Sequence, residues 1–292
     1  MCDRDNLAGW AAGGHDWSVS RRAFVSAAAL GAVAACAPTA MGGTAAGLRE
    51  ETVRITTADG VMDAFYVAPA KGRHPAVLTW PDIAGLREAF NVMARRLAAQ
   101  GYAVLVANQY YRAGPAPMFA DFAAFQANDG FAKAGAMRTA LTPDAIMRDA
   151  TAVIGWLDKR AEVDTAKGVG SNGYCMGGPF TVYTAAAVPS RVRAAASLHG
   201  GGLYRADDPQ SPHNLLDQTR ASYLFAIARN DDAKEPNVKT VLRQAAAAAG
   251  RPVEIEVYPA DHGWTVLDSP SYDRAAAERA WEQISTLFRT AL

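Results

Sequence analysis

A sharp turn between a predicted strand and a predicted helix restricts the fold of this chain more than any other feature. The predicted strand over 168–174 leads into Gly173-Tyr174-Cys175-Met176-Gly177-Gly178, and a helix is predicted over 179–188. The central residue of such a turn has unfavourable dihedrals, and side chains two positions to either side of it would clash. Gly173 and Gly177 therefore support a turn that lifts the Cys175 side chain above the edge of a sheet.

The segments around this turn alternate between strand and helix patterns. This alternation favours an α/β fold with a mostly parallel central sheet and helices on both faces. Residues 108–141 are less regular, so we expect loops or short helices over the site there. Strands are predicted over 52–56, 62–67, 75–80, 102–107, 168–174, 194–198, 223–228 and 253–258, and helices over 87–100, 179–188, about 273–290 and from Thr142-Pro143 onward.

The overall composition is that of an ordinary globular enzyme. Half of the 292 residues are hydrophobic, and 29 basic residues balance 29 acidic ones. A nucleic-acid partner is not expected, because a protein that binds a polyanion needs an excess of Lys and Arg on one face. Metal-ligand spacings such as C-x-x-C and H-E-x-x-H are absent, so we expect no metal ion.

The first 46 residues have the pattern of an export signal followed by a flexible tether. Arg21-Arg22 stands directly before a mildly apolar run over 23–35, which resembles a twin-arginine signal and is too short to span a membrane. Val33-Ala34-Ala35-Cys36 resembles a lipobox, whereas Ala35-Cys36-Ala37 also fits ordinary signal cleavage. We expect an exported, periplasmic protein with its folded domain over 47–292, and a lipid anchor at Cys36 remains one of two alternatives.

Cys175 is the only cysteine of the predicted domain, since Cys2 and Cys36 belong to the leading segment. A lone cysteine is often a small buried hydrophobic residue. At the apex of a strand-to-helix turn, however, a cysteine is placed to act as a nucleophile, and the turn directs the N–H of Met176 at a reacting carbonyl. Ser171 lies within the strand, where we expect a structural role.

Candidate partners for this nucleophile follow in the chain order acid, then base. Asp231 comes just after the predicted strand 223–228 and is the preferred acid; Asp232 is the alternative, and a helix cap is the structural explanation for either. His262 follows the last predicted strand, where the general base is expected. The second oxyanion donor is expected from the loop after 75–80, as the N–H of Ile83.

The other histidines fit structural roles better. His15 lies in the leading segment and His74 in a turn. His199 begins a His-Gly-Gly-Gly run, which we expect to pack near the site as a strand-end loop rather than to act in catalysis. His213, in Ser211-Pro212-His213, is expected to be structural or to line the pocket.

Taken together, these residues resemble the dienelactone hydrolase family (carboxymethylenebutenolidases) of the α/β-hydrolase superfamily, over about residues 50–290. The most specific match is the turn that carries Cys175. The other similar segments are Leu97–Tyr102, Gln109–Arg112, Leu198–Gly201, Ala228–Asp232 and Tyr258–Gly263.

The resemblance implies a cap-less monomeric hydrolase of carboxylic esters or lactones that needs no cofactor. A thioesterase, or a catalytically silent binding protein on the same fold, is the alternative. In the family an acidic residue of the oxyanion loop holds the resting cysteine; Asp82 has that position here, and a helix N-cap is its alternative role. The family arginine four residues past the histidine is replaced by Val266, and Arg112 and Arg138 are candidates to substitute for it.

Overall fold

The computed structural model describes residues 47–292. Their core is one eight-stranded sheet with the strand order β1-β2-β4-β3-β5-β6-β7-β8. The strands are β1 (Leu48–Thr57), β2 (Gly60–Pro69), β3 (Ala76–Trp80), β4 (Ala103–Ala107), β5 (Val169–Tyr174), β6 (Val192–Leu198), β7 (Ser222–Ala228) and β8 (Val253–Tyr258).

The sheet is antiparallel at one edge and parallel elsewhere. β1 and β2 form an antiparallel hairpin, paired from Leu48 with Pro69 to Thr57 with Gly60. β2 pairs antiparallel with β4, and every pair from β4 to β8 is parallel. The prediction of an α/β fold with a mostly parallel sheet is thereby confirmed.

Eight helices connect and cover the described strands. Thr142 caps α4 by accepting a hydrogen bond from the N–H of Ala145, with Pro143 as the first helical residue, as the sequence predicts. The helices are α1 (Glu88–Ala99), α2 (Phe122–Ala127), α3 (Gly130–Arg138), α4 (Pro143–Leu157), α5 (Gly178–Ala187), α6 (Arg229–Lys234), α7 (Val238–Ala248) and α8 (Arg274–Ala291).

The two faces of the sheet are covered by different helices. Phe90 of α1 and Trp281 of α8 belong to the apolar cluster on one face, whereas Ile146 of α4 and Phe180 of α5 belong to the cluster on the other. Both faces of β5 are buried, so its residues are inaccessible along the whole strand. Central parallel strands of this kind are covered on both sides.

The parallel half of the sheet determines where the candidate residues meet. Cys175, His199, Asp231 and His262 follow the carboxyl ends of β5, β6, β7 and β8 respectively. Because these four strands are parallel neighbours, their ends lie along the same edge of the sheet. Among residues 47–292, no helix combines the length and the apolar character that crossing a membrane requires.

Three helical segments were not predicted from the sequence. They are α6, α7 and a 3₁₀ turn over Pro212–Gln218. α6 is only six residues long, and α7 buries only Leu242 and Ala246. The predicted export signal and tether lie outside the described residues.

Candidate active site

Cys175 occupies the apex of a strained turn between β5 and α5. Its φ angle is +54°, in the left-handed region that side chains rarely adopt. A Cβ at Gly173 would lie 2.0 Å from the carbonyl oxygen of Gly177, and one at Gly177 would lie 2.5 Å from the carbonyl oxygen of Trp80. The close packing of backbone on backbone therefore excludes any side chain at the two flanking positions.

A buried histidine supports this turn from the next strand. The N–H of Cys175 donates to Nδ1 of His199 at 3.1 Å, and Nε2 of His199 lies 2.8 Å from Oγ1 of Thr265. Since Nδ1 accepts a hydrogen bond, the ring proton of neutral His199 is on Nε2 and is donated to Thr265. Burial, and next the charge of His262, hold the pKa of His199 well below its ordinary value.

The sequence placed His199 near the site but gave no sign of these bonds. His199 also has a positive φ angle of +40°, and its ring is 1% exposed. The sequence signal for these bonds was the position of His199 directly after the strand next to β5, because the carboxyl ends of neighbouring parallel strands lie close to the turn.

The acid and the base are in direct contact. Nδ1 of His262 lies 2.6 Å from Oδ2 of Asp231, and the backbone N–H of His262 donates to Oδ1 of Asn230 at 2.9 Å. Asp232 instead pairs with Lys239 at 2.5 Å. Of the two acids that the sequence left open, Asp231 is therefore the one that contacts the imidazole.

His199 contacts both Cys175 and His262. The ring centroids of His199 and His262 are 4.9 Å apart, in an edge-on arrangement. The ring that accepts the N–H of Cys175 therefore also packs against the imidazole of His262. Cys175, His199, His262 and Asp231 thus belong to one connected group of residues at the sheet edge.

The loop after β3 is held rigidly beside the turn. Tyr110 donates its hydroxyl proton to the carbonyl oxygen of Ile83 at 2.9 Å, and Gln109 donates to that of Asp82 at 2.8 Å. Within residues 47–292 the N–H of Ile83 has no acceptor. This N–H is thus available to a ligand.

Asp82 is engaged in a buried ion pair. Arg87 donates to both of its oxygens, at 2.7 and 2.9 Å, and Oδ1 also accepts the N–H of Ala84. The same guanidinium bonds Asp268 in the loop that follows His262. The alternative role of Asp82 as a helix N-cap is wrong, because Arg87 is the N-cap residue of α1.

A cavity of about 460 Å³ adjoins the turn on the side of α5. Met176 forms part of its wall with Pro179 and Tyr183. The charged residues of the lining are Arg138, Arg205 and Glu235. Arg205 donates to the hydroxyl of Tyr183 and to Asp208. Arg138 forms no ion pair with any residue in 47–292.

Of the two arginines considered as substitutes for the family residue, only Arg138 lies in this cavity. Arg112 pairs with the buried carboxylate of Asp149 at 2.8 Å and with Asp59 at 2.6 Å. Val266 is fully buried in the apolar cluster of the opposite face. Position 266 therefore offers nothing to a bound substrate.

The remaining candidates have structural contacts. Ser171 donates to the carbonyl oxygen of Leu78, His74 bonds the carbonyl oxygens of Gly101 and Lys71, and His213 bonds the hydroxyl of Ser211. His213 lies outside the lining of the cavity beside Met176. Among the described residues, no cluster of His, Cys, Asp and Glu is arranged to hold a metal ion.

The sequence matches the dienelactone hydrolase family over residues 62–292. The chain belongs to this family. A protein of Methylorubrum extorquens provisionally named carboxymethylenebutenolidase is 28% identical over 282 residues, which cover 93% of each chain. A Salmonella typhi protein with the same provisional name is 28% identical over 233 residues, covering 78% of this chain and 82% of its own.

Solved structures give the same fold. A crystal structure from Klebsiella pneumoniae, provisionally named a dienelactone hydrolase, superposes with a TM-score of 0.70 at 24% identity. The match covers 83% of this chain and 98% of that structure. This dienelactone hydrolase-like chain therefore has the α/β-hydrolase fold, without a separate cap domain.

Proposed function

We propose that this dienelactone hydrolase-like protein cleaves a carboxylic ester or lactone through a Cys175–Asp231–His262 triad. The observation that carries the proposal is the 2.6 Å contact between Asp231 and His262 beside the strained turn of Cys175. In covalent acyl transfer, an acid that is hydrogen-bonded to the base orients it toward the nucleophile.

The first half-reaction forms an acyl-enzyme. The carboxylate of Asp231 accepts the proton on Nδ1 of His262, which leaves Nε2 free to take the thiol proton of Cys175. The thiolate attacks the carbonyl carbon, and the tetrahedral oxyanion is held by the N–H groups of Met176 and Ile83. As the C–O bond breaks, His262 returns its proton to the departing alkoxide, leaving a thioester on Cys175.

The second half-reaction regenerates the enzyme. His262 removes a proton from water, and the resulting hydroxide attacks the thioester carbonyl. The intermediate collapses to the free acid, and the sulfur of Cys175 leaves as a thiol that carries the proton from His262. In a lactone both products remain parts of one molecule, a hydroxy acid.

Two local features favour the charged species of this mechanism. Cys175 directly precedes α5, so the positive end of that helix stabilises both the thiolate and the oxyanion. The paired carboxylate of Asp82 and the bonds from Gln109 and Tyr110 keep the Ile83 loop in place. Asp82 thus acts in this chain as a support of the oxyanion loop.

The cavity beside Met176 suits a substrate that carries a carboxylate. Arg138 is a cation without an ion-pair partner in the described chain, and guanidinium binds carboxylates through paired hydrogen bonds. Its charge replaces the one that Val266 does not supply. We therefore propose Arg138 as the residue that selects acidic esters or lactones.

The decisive experiment uses the reduced wild-type protein and Cys175→Ala with a panel of aryl esters, lactones and thioesters. The proposal expects hydrolysis of oxygen esters or lactones by the wild type and none above background by the variant. Preferential turnover of thioesters would favour the thioesterase alternative. A folded wild-type protein that is inactive on the whole panel would favour a silent binding protein.

We propose in addition that the protein is exported and that its mature domain begins near residue 47. The support is the order of the Arg21-Arg22 pair, the apolar run over 23–35 and the small residues around Cys36. Mass analysis of the mature N-terminus distinguishes an acylated Cys36 from plain cleavage. A mature chain that retains Met1 would contradict export.

A further inference from the structure

A second cavity, larger than the one beside Met176, lies on the opposite face of the sheet. It has a volume of about 690 Å³ and is formed between α1 and α8. The active-site cavity is formed by α3, α4 and α5 on the other face. The two cavities share no lining residue.

The interior of this second cavity is apolar. Val92 and Met93 of α1 face Trp281 and Ile284 of α8 across it, and Leu267 lies beside them. A wall of this kind takes up an aliphatic chain, because the removal of methylene groups from water is favourable. Water molecules cannot form hydrogen bonds with these apolar side chains, so the wall favours an apolar ligand over water.

The charges of the cavity lining are mostly positive. Arg95, Arg96 and Arg274 line the cavity together with a single carboxylate, that of Glu278. Glu278 is already paired with Arg96, whose guanidinium lies 4.2 Å from the ring centroid of Trp281.

The other two arginines differ in their partners. Arg95 is paired with Glu50 and Glu88. Arg274 has no ion pair within residues 47–292 and is exposed. Arg274 thus lies next to the apolar wall without a partner at ion-pair distance in the described chain, and the charge of Glu278 acts on it from a longer distance.

We propose that this cavity binds an amphipathic carboxylate, with the aliphatic tail between α1 and α8 and the carboxylate on Arg274. The combination of an apolar wall and an unpaired guanidinium fits this class of ligand, whereas a neutral lipid would leave Arg274 unpaired. The proposal does not depend on the catalytic role of Cys175.

Thr265 connects the second cavity to the turn of Cys175. Thr265 lines the second cavity, and its hydroxyl accepts the Nε2 proton of His199. His199 in turn accepts the N–H of Cys175. A ligand in this cavity therefore lies beside a residue that is two hydrogen bonds away from the turn of Cys175.

Binding is tested by titrating the full-length protein with octanoate, decanoate and dodecanoate, using calorimetry and tryptophan fluorescence. We expect saturable binding of decanoate with a Kd below about 1 mM. Decanol, which lacks the charge, should bind about tenfold more weakly to the wild type. Absence of saturable carboxylate binding, or equal affinity for decanol, would overturn the proposal.

Matched variants locate the site. Ala277→Phe fills the cavity and should weaken decanoate binding about tenfold or more, whereas Ala275→Phe on the exposed side of the same helix should not. Arg274→Gln should remove the preference for decanoate over decanol, and the exposed Arg289→Gln at the end of α8 should keep it. Equal binding by the members of either pair contradicts the site.

A third variant separates this site from the active site. Cys175→Ser should bind decanoate as the wild type does, whether or not Cys175 is the nucleophile. Loss of binding in Cys175→Ser would place the ligand in the active-site cavity and overturn the proposal. Circular dichroism verifies the fold of each variant, and Arg274→Gln decides the outcome if Ala277→Phe does not fold.

Discussion

Nδ1 of His199 accepts the backbone N–H of Cys175 at 3.1 Å, which ties the apex of the strained turn to the neighbouring strand. Burial is the first cause, and the charge of His262 the second, of the low pKa of His199 in the folded protein. In the unfolded chain a histidine titrates with a pKa of about 6.5. The unfolded state therefore takes up a proton at mildly acidic pH that the folded state does not.

This difference predicts a pH dependence of stability. As the pH falls below about 6.5, His199 should lower the free energy of unfolding by up to about 1.4 kcal/mol per pH unit. In His199→Gln this contribution disappears, so the difference between variant and wild type should change with pH below about 6.5 and stay constant above it. Urea unfolding over a pH series measures both, and parallel profiles would contradict a neutral His199.

Substitutions of the adjacent residues Asp231 and Asp232 give a matched test of the proposed triad. Asp231→Asn removes the carboxylate that orients His262 and should lower kcat at least about 100-fold. Asp232→Asn breaks only the pair with Lys239 and should leave kcat within about twofold. Steady-state hydrolysis of an aryl ester measures kcat for both variants. An equal loss of kcat in the two would contradict a catalytic role for the contact between Asp231 and His262.

The buried guanidinium of Arg87 should contribute strongly to the free energy of unfolding. The side chains of Arg87 and Asp82 are 0% and 5% exposed, so Arg87→Met leaves a buried carboxylate without its counter-ion. The expected loss in the free energy of unfolding is about 3–5 kcal/mol.

Arg148→Met is the control for this experiment. The Arg148 side chain is 48% exposed and pairs with Asp59, which also bonds Arg112. Its loss should cost no more than about 1 kcal/mol. Urea denaturation compares the two variants, and a loss for Arg87→Met no larger than that for Arg148→Met would reject the buried ion pair as a major stabilising element.

Arg138 is expected to determine substrate choice. Arg138→Gln should raise KM about tenfold or more for an ester that carries a carboxylate, because a charge-assisted bond is lost. KM for a neutral ester of the same shape should not change. The ratio of the two KM values in wild type and variant is the measurement; an unchanged ratio would remove Arg138 from the substrate site.

Much of the fold could be predicted from local pattern. β8 matches its predicted bounds, and most of the other predicted strands and helices lie within a few residues of theirs. Most of these segments have a buried apolar face, which gives them a recognisable apolar period. α7 was missed because it is rich in alanine and buries only Leu242 and Ala246.

The placement of Cys175, Asp231 and His262 at one edge of the sheet was predictable in outline, because each of them follows a predicted strand. The sequence could not decide between Asp231 and Asp232, because the choice depends on how the first turn of α6 is rotated. The link from Arg87 to Asp268 spans 181 positions and has no local signal. The bond from Cys175 to His199 likewise depends on two strands being neighbours, which only the folded sheet specifies.

The proposed mechanism requires the acyl group of the ester to become covalently attached to the sulfur of Cys175. Reduced wild-type protein is mixed with an aryl ester, quenched in acid within its first turnovers, and analysed by intact-mass and peptide-mapping mass spectrometry. The account predicts one added acyl group on the peptide that contains Cys175 and none in Cys175→Ala. Turnover by the wild type without any acyl group on Cys175, or with the group on another residue, would contradict it.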